Sequence, residues 1–150
     1  MRNKGFSLVE LIIVIAIMAV LAGALAPALI KYINKARLSA DIDTGAEIGR
    51  MIVEIVSDSS DAHEDAVEHK DPFPVNNMDG DVFKNEVLKA FSTTKFVGKS
   101  KRDIDGNDFN SADRQFYYTL DETRNKVQVF YGGKTSDYQV YPIVGSKLSK

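Results

Sequence analysis

The sequence predicts an α+β fold in which a long amino-terminal helix packs on a small antiparallel β-sheet. Residues 6–57 carry apolar side chains first as a continuous run and then at helical spacing. Residues 114–150 contain three short segments rich in aromatic and β-branched residues, separated by turn residues, which is typical of an antiparallel meander. A helix laid across a small sheet buries the apolar faces of both elements, so the arrangement is a stable one.

The apolar run is the strongest single signal in the sequence. Residues 11–30 contain no charged side chain, and a helix of that length can cross the hydrocarbon core of a membrane. A cleaved secretory signal explains the run poorly, because the run is too long and Pro27 would directly follow the Ala24-Leu25-Ala26 cleavage site. A plain single-pass anchor explains the length, but it gives no reason for Glu10, a carboxylate next to the uncharged span.

The residues around Glu10 carry a more specific motif. The segment Lys4-Gly5-Phe6-Ser7-Leu8-Val9-Glu10 resembles the type IV pilin and pseudopilin signature, in which a basic residue, a glycine and an aromatic residue precede a glutamate. The resemblance implies that a prepilin peptidase cuts after Gly5 on the cytoplasmic side and that Phe6 is then N-methylated. It also implies that Glu10 pairs with the Phe6 terminus of a neighbouring subunit. Pro27 falls where many members of the family carry a helix-loosening proline.

The same resemblance implies a function and a location. The chain would be a structural subunit of a type IV pilus-like filament, first a single-pass protein of the cytoplasmic membrane and then part of a cell-surface pilus. Its partners would be other copies of itself, the prepilin peptidase and a membrane assembly platform. A minor pilin and a type II secretion pseudopilin are alternatives within the family. An uncleaved membrane-anchored binding domain is the alternative of a different class.

These interpretations divide the chain into a leader peptide at residues 1–5, a membrane-spanning assembly helix at residues 6–30 and a globular head at residues 31–150. Beyond residue 30 charged side chains are interleaved with apolar ones, and the spacing of the apolar ones places them on one side of a helix. Residues 31–57 are therefore predicted to form the amphipathic half of the same helix. Gly45 and Gly49 lie four residues apart, so they should form a strip where this helix approaches the sheet closely.

The rest of the head divides into an irregular part and a sheet. Residues 58–113 should be mostly irregular, with one short helix at about residues 81–91 and Asp81 as its N-cap. In this part Pro72-Phe73-Pro74 is predicted as a turn or extended connector, and Phe96-Val97 as a short edge strand. Residues 114–150 should hold three strands of the sheet, with Pro142 on an edge strand or near a strand end; the predicted strands are residues 115–120, 126–131 and 138–144.

Composition and motifs argue against several function classes. The chain has a formal net charge of −2 and no dense basic patch, so we expect no nucleic-acid partner. It has no cysteine, which excludes disulfides and thiolate metal sites. No serine or histidine lies in a catalytic pattern, so neither an enzyme activity nor a cofactor is predicted.

Two sets of residues look like metal sites at first sight. Asp103 and Asp105 precede a Gly-Asn-Asp sequence and are weak candidates for a calcium site, because the spacing departs from the regular calcium-loop pattern. The alternative is an ordinary turn that uses Asp, Gly and Asn. His63 and His69 are six residues apart and would point in different directions on a helix, so they cannot share a zinc ion there.

Overall fold

The computed structural model describes residues 6–58, 60–93, 95–121, 123 and 126–149. The chain divides between Asn34 and Lys35 into two units. The first helix, α1, spans Leu8–Asp58 and therefore contributes residues to both units. The predicted long amino-terminal helix is confirmed.

The first unit consists of the apolar half of α1. Residues 6–33 are all exposed, although most of them are large and hydrophobic. An 18-residue window of this helix has a mean hydropathy of 2.8, and none of it is buried within the protein. By length and composition the helix can cross a membrane, because about 20 apolar residues span the hydrocarbon core.

The second unit contains the amphipathic part of α1 and a four-stranded sheet. After α1 the elements are α2 (Ser60–Asp65), β1 (His69–Pro74), α3 (Asp81–Ala90), β2 (Phe116–Leu120), β3 (Val127–Tyr131) and β4 (Gln139–Tyr141). The strands lie in the order β1-β2-β3-β4, and each neighbouring pair is antiparallel. The predicted antiparallel meander is therefore confirmed for β2, β3 and β4. The short helix predicted at about residues 81–91 corresponds to α3.

Strand β1, like the short helix α2, is an element that the sequence analysis did not predict. The segment predicted as a turn or extended connector, residues 72–74, is extended and pairs as part of β1, so the turn alternative is wrong. Phe73 pairs with Tyr118 and His69 pairs with Leu120, with an irregular register between the two pairs. An edge strand tolerates proline because one side of its backbone has no partner strand, and an irregular register absorbs the missing N–H donors.

The core of the head lies between α1 and the sheet. Ile48 and Ile52 of α1 are fully buried, as are Tyr118 and Tyr131 of the sheet. A Cβ atom added at Gly45 would overlap the Val140 side chain, so α1 approaches the sheet there as closely as glycine allows. An added Cβ at Gly49 would likewise overlap the Tyr141 side chain. The predicted close-approach strip is confirmed.

The segment predicted as an edge strand at Phe96-Val97 is neither strand nor helix. Its polar backbone groups bond to side chains instead. Asn76 Nδ2 donates to the Phe96 carbonyl at 2.9 Å, and the Phe96 N–H donates to Asn76 Oδ1 at 2.7 Å. The N–H groups of Lys99 and Ser100 donate to the buried carboxylate of Asp41, at 2.8 Å and 2.5 Å. The strand prediction fails because a side-chain amide and a carboxylate take the place of a neighbouring strand.

The amino terminus of α3 also differs from the prediction. Gly80 occupies the N-cap position with a φ of 87°, and Asp81 is the first residue of the helix. The capping acceptor comes from a distant part of the chain, because Asp65 Oδ2 accepts the N–H groups of Val82 and Phe83 at 2.7 Å and 3.0 Å. A carboxylate at a helix amino terminus accepts hydrogen bonds from the free N–H groups and interacts favourably with the positive end of the helix dipole.

Candidate functional site: the amino-terminal segment

The start of α1 brings Ser7 and Glu10 together. Glu10 Oε2 accepts the backbone N–H of Ser7 at 2.9 Å, and the Ser7 carbonyl accepts the N–H of Leu11 at 3.2 Å. Ser7 therefore lies at the N-cap of a helix that begins at Leu8, and Glu10 lies at the third helical position. A glutamate there that reaches back to the N-cap N–H is one half of a capping box.

The cap is a contact that the sequence analysis missed, although the signal was present. Serine followed three residues later by glutamate, directly before an apolar run, is the usual capping-box pattern. The N–H groups of the first helical turn have no partner within the helix, and near hydrocarbon an unpaired N–H is costly. Within a single chain Glu10 thus accepts a hydrogen bond from its own helix terminus.

Phe6 lies directly before this cap. Phe6 is 85% exposed, so the described residues leave it largely uncovered. The predicted cleavage residue Gly5 and the rest of the leader lie outside the described residues. Phe6 and Glu10 are consequently at the same end of α1, one residue before the N-cap and three residues after it.

Pro27 lies inside α1, and the helix continues through it. Proline has no N–H group, so the carbonyl of Gly23 lacks the donor that residue 27 would supply in a regular helix. An added Cβ at Gly23 would meet nothing within 4 Å. This part of the helix thus combines a carbonyl that lacks its helical donor with an open surface that a second helix could approach closely.

Comparison with known proteins bears on this same segment. Residues 1–26 match the family model described as the prokaryotic N-terminal methylation motif. The chain carries the type IV pilin signature. No curated protein and no solved structure matches the chain. The motif covers the predicted cleavage residues, Glu10 and most of the apolar run, and the head lies beyond it.

The signature agrees with the structure on the general type of protein. An exposed apolar helix near the amino terminus fits a membrane-anchored protein, and the α+β head with a long first helix is a pilin-like arrangement. Proteins with the type IV pilin signature are structural rather than enzymatic.

The weak calcium candidates are engaged in other contacts. Asp103 is buried, and its two carboxylate oxygens accept the backbone N–H and the side-chain amide of Asn107, each at 2.9 Å. Asp105 forms an ion pair with Lys147 at 3.3 Å, and this contact raises the pKa of the Lys147 ammonium. Across the described ranges no group of three or more histidine, cysteine, aspartate or glutamate residues is placed to hold a metal ion.

The two histidines serve separate parts of the head. His63 Nδ1 lies 3.1 Å from the carbonyl of Val56. His69 stacks on Phe73 with ring centroids 4.1 Å apart, and its Nε2 lies 3.4 Å from Asp79 Oδ2. The two rings therefore make different contacts, the first with α1 and the second with β1.

The aromatic residues of the sheet form packed pairs. Phe116 and Tyr131 lie with ring centroids 4.9 Å apart, and Tyr131 Oη donates to the Ser100 carbonyl at 2.7 Å. Burial raises the pKa of Tyr131 and of Tyr118, because the phenolate form is poorly solvated in the core. The Tyr118 hydroxyl makes no hydrogen bond to any described residue. These rings act as core and cross-strand contacts.

Proposed function

We propose that the chain is the structural subunit of a type IV pilus-like filament, assembled through the amino-terminal half of α1. The observation that supports this most strongly is the methylation motif on residues 1–26, which overlaps the exposed apolar half of α1. An exposed apolar helix needs an apolar surrounding. Lipid supplies this apolar surrounding in the membrane, and the helices of other copies supply it in a filament.

The proposed sequence of events begins in the cytoplasmic membrane. A prepilin peptidase cuts between Gly5 and Phe6, and the new amino group of Phe6 is methylated. Glycine suits the cleavage position because it has no side chain to obstruct a protease. A membrane assembly platform then moves the subunit from lipid into the base of the filament, which carries it to the cell surface.

Packing and charge decide the transfer from lipid to filament. Lipid tails and helix side chains are similarly apolar, so hydrophobic burial contributes little to the difference. The small residues of the span let helices approach closely; they are Ala16, Ala19, Ala22, Gly23, Ala24, Ala26 and Ala28. Pro27 removes one helical hydrogen bond and lets the helix loosen locally as subunits pack.

Glu10 supplies the specific contact in this proposal. Its carboxylate pairs with the Phe6 ammonium of a neighbouring subunit, and an axial slip would leave both charges unpaired. In the free chain the same carboxylate accepts the Ser7 N–H. A carboxylate has two oxygens and about four lone-pair sites, so it can keep the cap and accept the neighbour's amine together.

The intact mass of the membrane-extracted protein, together with electron microscopy of sheared cell-surface fractions, tests this proposal. We expect a mature chain that begins at Phe6 with one added methyl group, and filaments that contain it. Gly5→Leu should give an uncut precursor in the membrane and no filament. Correct trimming of that variant would show that the peptidase does not require Gly5 before the cut. An intact Met1 in the wild type would favour the uncleaved anchor.

A further inference from the structure

A row of lysines lies on the surface of the head, in the segment of chain that connects α3 to β2. Side chains from residue 95 to residue 101 alternate between exposed and covered positions. The exposed set consists of Lys95, Val97, Lys99 and Lys101. The sequence analysis did not single out this row, because its three lysines lie in a segment without regular secondary structure.

The other side of the segment is held firmly by the head. Phe96 is buried and packs edge-on against Phe91, with ring centroids 4.9 Å apart. A Cβ atom on Gly98 would overlap the ring of Tyr131, and the N–H of Ser100 donates to Asp41. Since every second residue is anchored, the lysines between them are held in a row at most about 20 Å long.

An acidic row lies elsewhere on the same head. Asp58 at the end of α1 and Asp61 and Glu64 on α2 are all exposed, three residues apart along the chain. Within the described part of the chain, none of these three carboxylates and none of the three lysines makes an ion pair. The two rows therefore carry opposite charges that one head does not neutralise by contact.

Lys99 and Asp58, one residue of each row, are too far apart to pair within one chain. The N–H of Lys99 is bonded to Asp41, and Asp58 lies further along the same helix. Asp58 lies 17 residues after Asp41 on the helix, which corresponds to about 25 Å. The screening length at physiological ionic strength is about 8 Å, so the charges of Lys99 and Asp58 barely interact within one head.

We infer that the lysine row of one copy docks on the acidic row of another copy, and that this contact joins the heads of the proposed filament. The inference rests on the proposed function. Two different complementary patches on one subunit make a heterologous contact, which continues from copy to copy without closing into a dimer. Complementary charges also set the register between copies and reject misaligned neighbours.

Charge reversal in the full-length chain tests the contact in cells that assemble the filament. The first variant carries Lys95→Glu, Lys99→Glu and Lys101→Glu, and the second carries Asp58→Lys, Asp61→Lys and Glu64→Lys. A third variant combines both sets in one chain. The matched control reverses three lysines elsewhere on the head, with Lys84→Glu, Lys89→Glu and Lys126→Glu. The measurement is the ratio of sheared filament to membrane-held subunit by immunoblot, with microscopy of the filaments.

We expect each single-row reversal to lower the ratio by at least about tenfold, because like charges then face each other in every contact. The combined variant should recover most of the wild-type ratio, which also shows that the reversed heads fold. The control should stay within about twofold of the wild type, since single surface charges contribute little to stability. Wild-type filaments should also come apart faster in high salt.

The outcomes separate this inference from the proposed function. Normal filaments from either single-row variant, or no recovery in the combined variant, would overturn the contact between copies. Normal filaments that lose binding to dextran sulfate when the lysines are reversed would also overturn it, and would make an anionic polymer the partner of the row. A correctly trimmed wild-type chain that forms no filament would overturn the proposed function and this contact with it.

Discussion

The side-chain amide of Asn76 makes both hydrogen bonds that a neighbouring strand would give to Phe96. Its Nδ2 donates to the Phe96 carbonyl, and its Oδ1 accepts the Phe96 N–H. Phe96 is buried, so these backbone groups have little water to replace a lost partner. One asparagine thus ties a segment without secondary structure to the head, and it holds one end of the lysine row.

Asn76→Ala should therefore destabilise the head by about 1–3 kcal/mol, because it leaves a buried N–H and a carbonyl unpaired. In thermal unfolding of the full chain in detergent, that loss should lower the midpoint by several degrees. The near-ultraviolet circular dichroism of tyrosine is a suitable signal, since the chain has six tyrosines and no tryptophan. The adjacent Asn77 is exposed, so Asn77→Ala is the control and should change the midpoint little.

The glycine strip of α1 gives a second prediction. Gly49→Ala places a methyl group against the Tyr141 side chain, and overpacking of this kind costs about 1–3 kcal/mol. Alanine regains at most about 1 kcal/mol of helix propensity, so the net effect on the unfolding midpoint should be a decrease. Thermal unfolding of the full chain in detergent, compared with the wild type, checks this decrease.

Gly23→Ala is the matched control for that substitution. It changes the same residue types in the same helix at a position where the added methyl group meets nothing. The midpoint of head unfolding should be unchanged. If Gly49→Ala were as stable as Gly23→Ala, the close contact between α1 and β4 would be wrong.

The elements differ in how well local sequence predicts them. The period of apolar residues in α1 and the alternation in β2 and β3 determine those elements locally, and both were predicted. The sequence around Pro72 and Pro74 disfavours a strand, yet β1 forms because Tyr118 and Leu120 offer a free edge far along the chain. Such long-range pairing leaves no local pattern, as with the capping of α3 by Asp65.

The amino-terminal segment was predictable in a different way. Its motif is short and specific, and the matching family model covers the same residues. The sequence analysis missed the hydrogen bond between Ser7 and Glu10. A glutamate three residues after a serine fits a helix cap as well as a charge near a membrane. The lysine row was missed because its alternation is imposed by Asn76 and Asp41, not by a strand.

Two buried tyrosines of neighbouring strands should respond differently to loss of their hydroxyl group. The Tyr131 hydroxyl donates to the Ser100 carbonyl, so Tyr131→Phe should cost about 1–2 kcal/mol of unfolding free energy. The Tyr118 hydroxyl has no partner among the described residues, so Tyr118→Phe should be neutral or stabilising. Equal losses in thermal unfolding of the two variants would contradict the hydrogen bonding seen in the structure.

The same tyrosines predict a loss of stability at alkaline pH. Burial raises the pKa of both phenols above the ordinary value of about 10, so the folded head favours the protonated form. The contribution of the two tyrosines to the free energy of unfolding is fully present below about pH 10 and is lost as the pH rises further. The unfolding midpoint should fall above about pH 10, and less steeply in the chain with Tyr118→Phe and Tyr131→Phe. An unchanged slope in that double variant would assign the alkaline transition to other groups.

Glu10 can act as a cap, as a charge, or as both, and two substitutions separate these roles. Glu10→Gln keeps a side-chain oxygen for the Ser7 N–H and removes the charge, since glutamine also serves in a capping box. Glu10→Val removes both. Neither change should hinder membrane insertion, because a carboxylate within a membrane costs up to about 3 kcal/mol and both substitutes are uncharged.

If the ion pair with a neighbour's Phe6 terminus is what assembly requires, both variants should be cut and inserted normally and neither should form filaments. If the cap is sufficient, Glu10→Gln should assemble like the wild type and only Glu10→Val should fail, because only valine leaves the Ser7 N–H unpaired. Intact mass reports cleavage, immunoblots report membrane levels, and microscopy of sheared fractions reports filaments. Normal filaments from both variants would exclude any role of Glu10 in assembly, and helix packing alone would then have to set the register between subunits.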